Sequence, residues 1–136
     1  MKIYFAGSIR GGRDDAQIYF QIIDFLKAYG QVLTEHVGSE ELMDQGESKL
    51  SDKSIHDRDM SWLLESDLII AEVTNPSLGV GYEIGRAIEL NKKIICLYRL
   101  GSKNKLSAMI SGSEGVNVVE YENFNSLKKK LETILI

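Results

Sequence analysis

Apolar and polar positions along this chain follow two rhythms in turn, a short β-rich run and then a helical stripe. Lys2 to Ala6 is an apolar run of strand length that ends at Gly7, where glycine permits a tight turn. Tyr19, Ile22, Ile23, Leu26 and Tyr29 then recur on one helical face. Asp14 and Asp15 sit at the positive end of that helix, and Gly30 marks its stop. Val32 and Leu33 begin a short second strand running toward Thr34-Glu35-His36. Gly38 to Lys53 is polar, charged and weakly periodic, the pattern of a loop with a short helix. Ser54 opens the next predicted helix, with Asp57 as an approximate capping-box partner. Ile55, Asp59, Trp62 and Leu63 share a face there, which puts an acid on the apolar side.

Leu68 to Val73 reads as a continuous apolar run, the mark of a parallel strand covered on both faces and so of the central strand. Asn75 to Gly81 turns the chain into a helix carrying Ile84, Ala87 and Ile88 that stops near Asn91. Ile94 to Tyr98 and Val116 to Val119 supply the fourth and fifth strands, with a short apolar piece of helical character, Leu106 to Ile110, between them. Phe124, Leu127, Leu131, Ile134 and Leu135 fall at helical spacing at the end, with Lys128 to Lys130 as a solvated face. Strands alternating with helices predict a flavodoxin-like, Rossmann-like three-layer α/β sandwich around a five-stranded parallel sheet of order 2-1-3-4-5. Ligands of such sheets lie beyond the carboxyl ends of the strands where the order reverses, here between the first and third strands.

Composition narrows this picture. At 136 residues the chain suits one domain spanning 1–136, and it shows no linker, repeat or low-complexity tract. No stretch has the length and apolarity of a membrane span, and Ile3 to Ala6 is far shorter than a signal-peptide core. The lone Cys96 within an apolar segment suits a reducing compartment, so a cytoplasmic protein is expected. A net charge of -4 offers no broad attraction to a nucleic acid polymer, and any anionic ligand must be small and held by local donors.

Two glycine-rich loops supply such donors. Gly7-Ser8-Ile9-Arg10-Gly11-Gly12-Arg13 offers backbone N–H groups, a hydroxyl and two guanidinium groups at a helix start, the equipment for a phosphate dianion. No Lys followed by Ser or Thr closes it, so it is not the triphosphate-binding P-loop; the plain alternative is a tight turn with exposed arginines. In the second loop Ser77 and the N–H groups of Leu78 to Gly81 open another helix, with Glu83 expected within its first turn. There Glu83 has an ordinary reading as a charge favourable to the helix dipole. Gly79-x-Gly81-x-x-x-Gly85 misses the dinucleotide fingerprint by one residue and follows the third strand, not the first.

Asp59 on an apolar face must find a partner or hold its proton. Either it is a paired core acid, or it meets Glu83 in one crevice as a pair of carboxylates in unlike environments. Tyr4 faces one side of the sheet or the other according to register, and on one side its phenol reaches Glu83. His36 at the end of strand two can touch a ligand, whereas His56 beside Asp57 reads as a surface residue. The histidines and the one cysteine form no zinc spacing, so no metal and no cofactor is expected.

Four blocks in order carry a family resemblance: Tyr4 to Arg13, Leu33-Thr34-Glu35-His36-Val37, Ala71 to Glu83 and Leu106-Ser107-Ala108-Met109-Ile110. Together they resemble the 2'-deoxynucleoside 5'-phosphate N-hydrolases, relatives of the nucleoside 2-deoxyribosyltransferases, across nearly the whole chain. The weakest match is Gly38 to Lys53. The resemblance implies that Glu83 attacks or stabilises an anomeric carbon, Asp59 serves as general acid and base, and Tyr4 positions Glu83. It also implies that Gly7 to Arg13, Ser77 and Gly79 hold the phosphate of a nucleoside 5'-monophosphate, with His36 near the substrate and Ile22 and Ser39 as pocket walls. Ser107, Ala108 and Met109 would come from a second subunit, implying a homodimer. Three rivals stay open: a deoxyribosyltransferase, a CMP-type ribonucleotide glycosidase, and a non-catalytic nucleotide-binding module.

Overall fold

The computed structural model describes residues 1–9, 15–38 and 50–136. The described strands are β1 (Lys2–Ala6), β2 (Gln31–Val32), β3 (Leu68–Glu72), β4 (Lys93–Arg99) and β5 (Asn117–Tyr121). They form one parallel five-stranded sheet of order β2-β1-β3-β4-β5, the topology the sequence pattern predicts. The described helices are α1 (Ala16–Leu26), α2 (Asp52–Glu65), α3 (Leu78–Glu89), α4 (Ala108–Ser111) and α5 (Phe124–Ile134), with a 3-10 turn at Glu35–Gly38.

Two apolar layers cover the sheet because successive side chains of a strand point to opposite faces. Ile3 and Phe5 of β1, with Ile70, Ile95 and Leu97, pack against Tyr19, Ile22, Ile23 and Leu26 of α1 and Leu127 and Leu131 of α5. Tyr4 and Ala6, with Ile69, Ala71, Ile94 and Cys96, pack against Leu63 of α2 and Val80, Ile84 and Ala87 of α3. Each wholly buried side chain of this kind contributes about 1.5–3 kcal/mol. The register Tyr4↔Ile69 and Ala6↔Ala71 therefore fixes Tyr4 on the α2/α3 side, the alternative that brings it toward Glu83.

Several element boundaries differ from the expectation, each for a local reason. β2 stops at Val32 because the Thr34 hydroxyl takes over the edge of β1, accepting from Phe5 N–H and donating to Phe5 C=O, both at 2.7 Å. α2 starts at Asp52, capped by Ser51, which accepts from Ser54 N–H at 3.1 Å; Ser54 lies inside the first turn, and Asp57 pairs with Lys53 and His56 rather than closing a capping box. β5 runs on to Tyr121 because the long β4 offers partners as far as Arg99. β3 is not apolar throughout: it ends in Glu72, which is wholly buried. The end of α3 agrees with the expectation: it closes at Asn91 in the left-handed region (φ 56°), where Lys92 N–H reaches Ala87 C=O at 3.0 Å.

Candidate active site

Tyr4 rises from β1 on the face covered by α2 and α3, and its hydroxyl donates to Glu83 Oε2. Glu83 is half-buried and stands in the second turn of α3, next to the core residue Ile84. The first turn holds no acid, which removes the reading of Glu83 as a simple complement to the helix dipole. Burial drives the Glu83 carboxyl up to about 7, the Tyr4 hydrogen bond works against this, and the charge of Asp59 adds to it. The Tyr4 phenol is pushed far upward, first by burial and then by the charges of Glu83 and Asp59, so it remains a proton-bearing donor at neutral pH. The charge of Asp59 raises the proton affinity of both Glu83 and Tyr4, and α2 packs against α3 and β1.

Asp59 sits in a different setting. Arg58 Nε and Nη2 both reach Asp59 Oδ1, at 3.0 and 2.9 Å. The guanidinium lies 4.7 Å above the Trp62 ring, its i+4 neighbour, and 3.4 Å from His36 Nε2. His36 in turn packs beside Trp62 with ring centroids 5.8 Å apart. One carboxyl with a raised proton affinity beside a phenol, and a second gripped by arginine, form a pair whose environments separate their roles. Such a pair can supply a nucleophile or charge stabiliser on one side and a proton carrier on the other.

The described residues expected from the sequence to hold an anion follow β1 and β3 in the chain. A Cβ on Gly7 would stand 3.0 Å from the Tyr19 ring, so a larger residue there would press on that ring. Ser8 N–H donates to the Tyr19 hydroxyl at 3.1 Å, which seats Ser8 against the start of α1. The Ser8 side-chain oxygen is buried and has no partner among the described residues. A hydroxyl left in that state calls for a ligand or water. Ile9 packs partly against the α1/α5 core. Ser77 caps α3, accepting from Val80 N–H at 3.3 Å, and Gly79 stands exposed in the first turn. Ser107 caps the short α4, accepting from Met109 N–H at 3.2 Å, with Ala108 and Met109 exposed beyond it. A cleft of about 300 Å³ brings Ser77 and Ser107 together with Asn75 and the apolar Val73, Leu106 and Ile110. Its lining does not include Tyr4, Asp59 or Glu83.

Arg10, Gly11, Gly12, Arg13 and Ser39 lie outside the described residues. Ile22 is wholly buried among Ile3, Phe5 and Leu26, on the other face of the sheet from Tyr4, where it packs the core. His56 is exposed and bonds Tyr82 at 2.8 Å and Asp57 at 3.0 Å, the surface position its sequence suggests. No cluster of three or more metal-ligating side chains occurs among the described residues.

The sequence reading missed Arg58, whose signal was its place beside Asp59 and one turn before Trp62. It also missed Glu72, an acid inside an apolar strand. Glu72 accepts from the Tyr121 hydroxyl and from Thr74 N–H and Oγ1 at 2.7 and 3.0 Å. Burial raises its proton affinity despite those bonds.

Residues 3–126 match the family model described as nucleoside 2-deoxyribosyltransferase. A Danio rerio protein named 5-hydroxymethyl-dUMP N-hydrolase is 52% identical over 140 residues, covering 98% of this chain and 98% of its own. Among solved structures, a Clostridium botulinum CMP N-glycosidase aligns with a TM-score of 0.71 at 21% identity, over 98% of this chain and 99% of its own. A 2-deoxyribosyltransferase from Bacillus psychrosaccharolyticus gives 0.70 at 14% identity, over 99% and 96%. At these identities the two structures speak to the fold.

Proposed function

The chain belongs to the nucleoside 2-deoxyribosyltransferase family, and from that premise we propose that it hydrolyses the N-glycosidic bond of 2'-deoxynucleoside 5'-monophosphates. The products are a free base and deoxyribose 5-phosphate. One observation carries the chemistry: Tyr4 donates to a Glu83 whose proton affinity is raised by burial, with Asp59 of α2 close enough to act on both.

Cleavage builds positive charge at the anomeric carbon, which an adjacent carboxylate stabilises by charge or by bonding. In the bonding form, an oxygen of ionised Glu83 bonds C1' as the C1'–N bond breaks, and Asp59, protonated in the reactive complex, delivers that proton to the departing base. Water then gives a proton to Asp59 and its oxygen to C1', freeing Glu83. Tyr4 holds the Glu83 carboxyl in line and favours its ionised form. The phosphate rests on the Gly7 to Arg13 loop, Ser77 and Gly79, with the unpartnered Ser8 hydroxyl as a donor. His36 lies near the sugar and base beside Arg58 and Trp62.

Residues 1–136 act as one domain in this reading, and two copies form the working unit, with Ser107, Ala108 and Met109 of each completing the other's site. Leu78 and Met109 are 97% and 83% exposed, apolar surface that a second copy would remove from water. Gly81 and Gly85 leave open space on the same helix, where a second backbone can approach. No described helix is long and apolar enough to cross a membrane. A buried, unpaired Cys96 suits the cytoplasm.

The test is a panel of substrates scored for free base by chromatography: deoxy- and ribonucleoside 5'-monophosphates, including the 5-hydroxymethyl-dUMP of the named relative, and unphosphorylated nucleosides with and without an acceptor base. Hydrolysis confined to deoxynucleoside monophosphates is expected. Efficient sugar transfer between bases from an unphosphorylated nucleoside would make it a transferase, preferential release from CMP a ribonucleotide glycosidase, and binding without base release a nucleotide-binding module.

A further inference from the structure

Asp15 occupies the N-cap position of α1, where an aspartate ordinarily accepts from the first N–H groups of its own helix. It makes no such bond. Its buried carboxylate instead takes Arg99 Nη1 on Oδ1 at 3.0 Å and Asn75 Nδ2 on Oδ2 at 2.8 Å. The relay continues, for Asn75 Oδ1 accepts from Asn104 Nδ2 at 3.0 Å, and Asn104 C=O accepts from the Tyr98 hydroxyl. Arg99 is anchored from behind, its N–H donating to Thr74 Oγ1 at 2.9 Å, while Thr74 is bound to the buried Glu72.

Three segments are thus joined by side chains alone. Asp15 stands at the start of α1. Asn75 stands two residues before Ser77, and Asn104 three before Ser107. Arg99 neutralises the acid, so the start of α1 keeps both its uncapped N–H groups and its positive end. Ser8, whose N–H donates to the Tyr19 hydroxyl of α1, has a buried hydroxyl without a partner among the described residues, an independent sign that a ligand oxygen belongs there.

We propose that Asp15 is a positioning residue for the substrate's phosphate: through the Arg99–Asp15–Asn75–Asn104 relay it sets the start of α1 and the Ser77 loop in the one arrangement that receives the dianion. This rests on the reading of the site as a monophosphate hydrolase. Asp15 itself touches no substrate. Its loss weakens phosphate recognition and spares the chemical step at Glu83.

The experiment compares wild type, Asp15→Asn, Asp15→Ala and Asn75→Ala. Each is assayed for kcat and KM on a deoxynucleoside monophosphate, for slow turnover of the matching nucleoside, and for calorimetric binding of 2-deoxyribose 5-phosphate. Melting curves identify the variants that fold, and Asn75→Ala, cut in a half-buried loop, breaks the relay without removing the acid. KM for the monophosphate should rise roughly tenfold or more with kcat within about threefold, as for loss of charge-assisted bonds that order a binding site. Nucleoside turnover should hold, and Asp15→Asn, which keeps one acceptor, should fall between wild type and Asp15→Ala. Unchanged KM, or equal losses on monophosphate and nucleoside, overturns the relay while wild-type turnover leaves the hydrolase reading standing. If the wild type releases no base, the hydrolase reading fails. The sugar phosphate then decides the relay alone: weaker binding in Asp15→Asn supports it, and equal binding or none in the wild type overturns it.

Discussion

At the scale of single residues, the account turns on Glu83. Its carboxyl titrates near 7 because burial and the charge of Asp59 outweigh the Tyr4 hydrogen bond. In the proposed mechanism the ionised form is the one that serves the anomeric centre. Activity is therefore lost as pH falls through about 7 and gained as it rises, and kcat/KM of the wild type should show an acid limb there. Tyr4→Phe removes the bond that favours the anion, so the limb should move to higher pH, with kcat/KM at pH 7 down by roughly ten- to a hundredfold. A pH–rate profile of the two proteins checks this, and a limb that stays in place would deny Tyr4 its role. Arg58 belongs to the same scale: its Nε and Nη2 both hold Asp59 Oδ1, which fixes the orientation of that carboxyl.

At the scale of elements, α3 carries two faces with different tasks. One face buries Val80, Ile84 and Ala87 against the sheet and presents Glu83 to Tyr4. The other exposes Leu78, Tyr82 and two glycines, each of which costs a helix about 1 kcal/mol relative to alanine. If that face receives a second copy, Gly81→Ala should weaken association by about tenfold or more, read by sedimentation against concentration. A monomeric wild type whose Gly81→Ala variant is merely more stable would contradict the dimer. The order of elements was legible in the chain because each strand is short, apolar and followed by a helical stripe. Their ends were not, because they depend on distant partners: Thr34 closing β1's edge, Ser51 rather than Ser54 capping α2, Arg99 extending β5.

At the scale of the whole molecule, a parallel sheet gathers into one edge residues that lie far apart in the chain. Asp59 and Glu83 stood out in the sequence because an acid on an apolar helix face and a carboxylate after a glycine loop are local anomalies, whereas the choice of Tyr4 and the three roles came from the family resemblance. Asp15 and Arg99 did not stand out, because an acid before a helix and an arginine ending a strand look ordinary until the fold brings them within 3.0 Å. Glu72 shows the same limit: a lone acid in an apolar strand signals burial, yet its partner Tyr121 comes from a strand not even adjacent to its own. Two apolar layers hold this edge rigid, and the chemistry needs that rigidity, since a carboxylate displaced by 1 Å loses its line to the anomeric carbon. The most direct test is the rate of free-base release from a deoxynucleoside 5'-monophosphate at neutral pH by wild type and Glu83→Ala, measured on folded protein. The account predicts release by the wild type and a loss of about a thousandfold or more in the variant; equal rates in the two would contradict it.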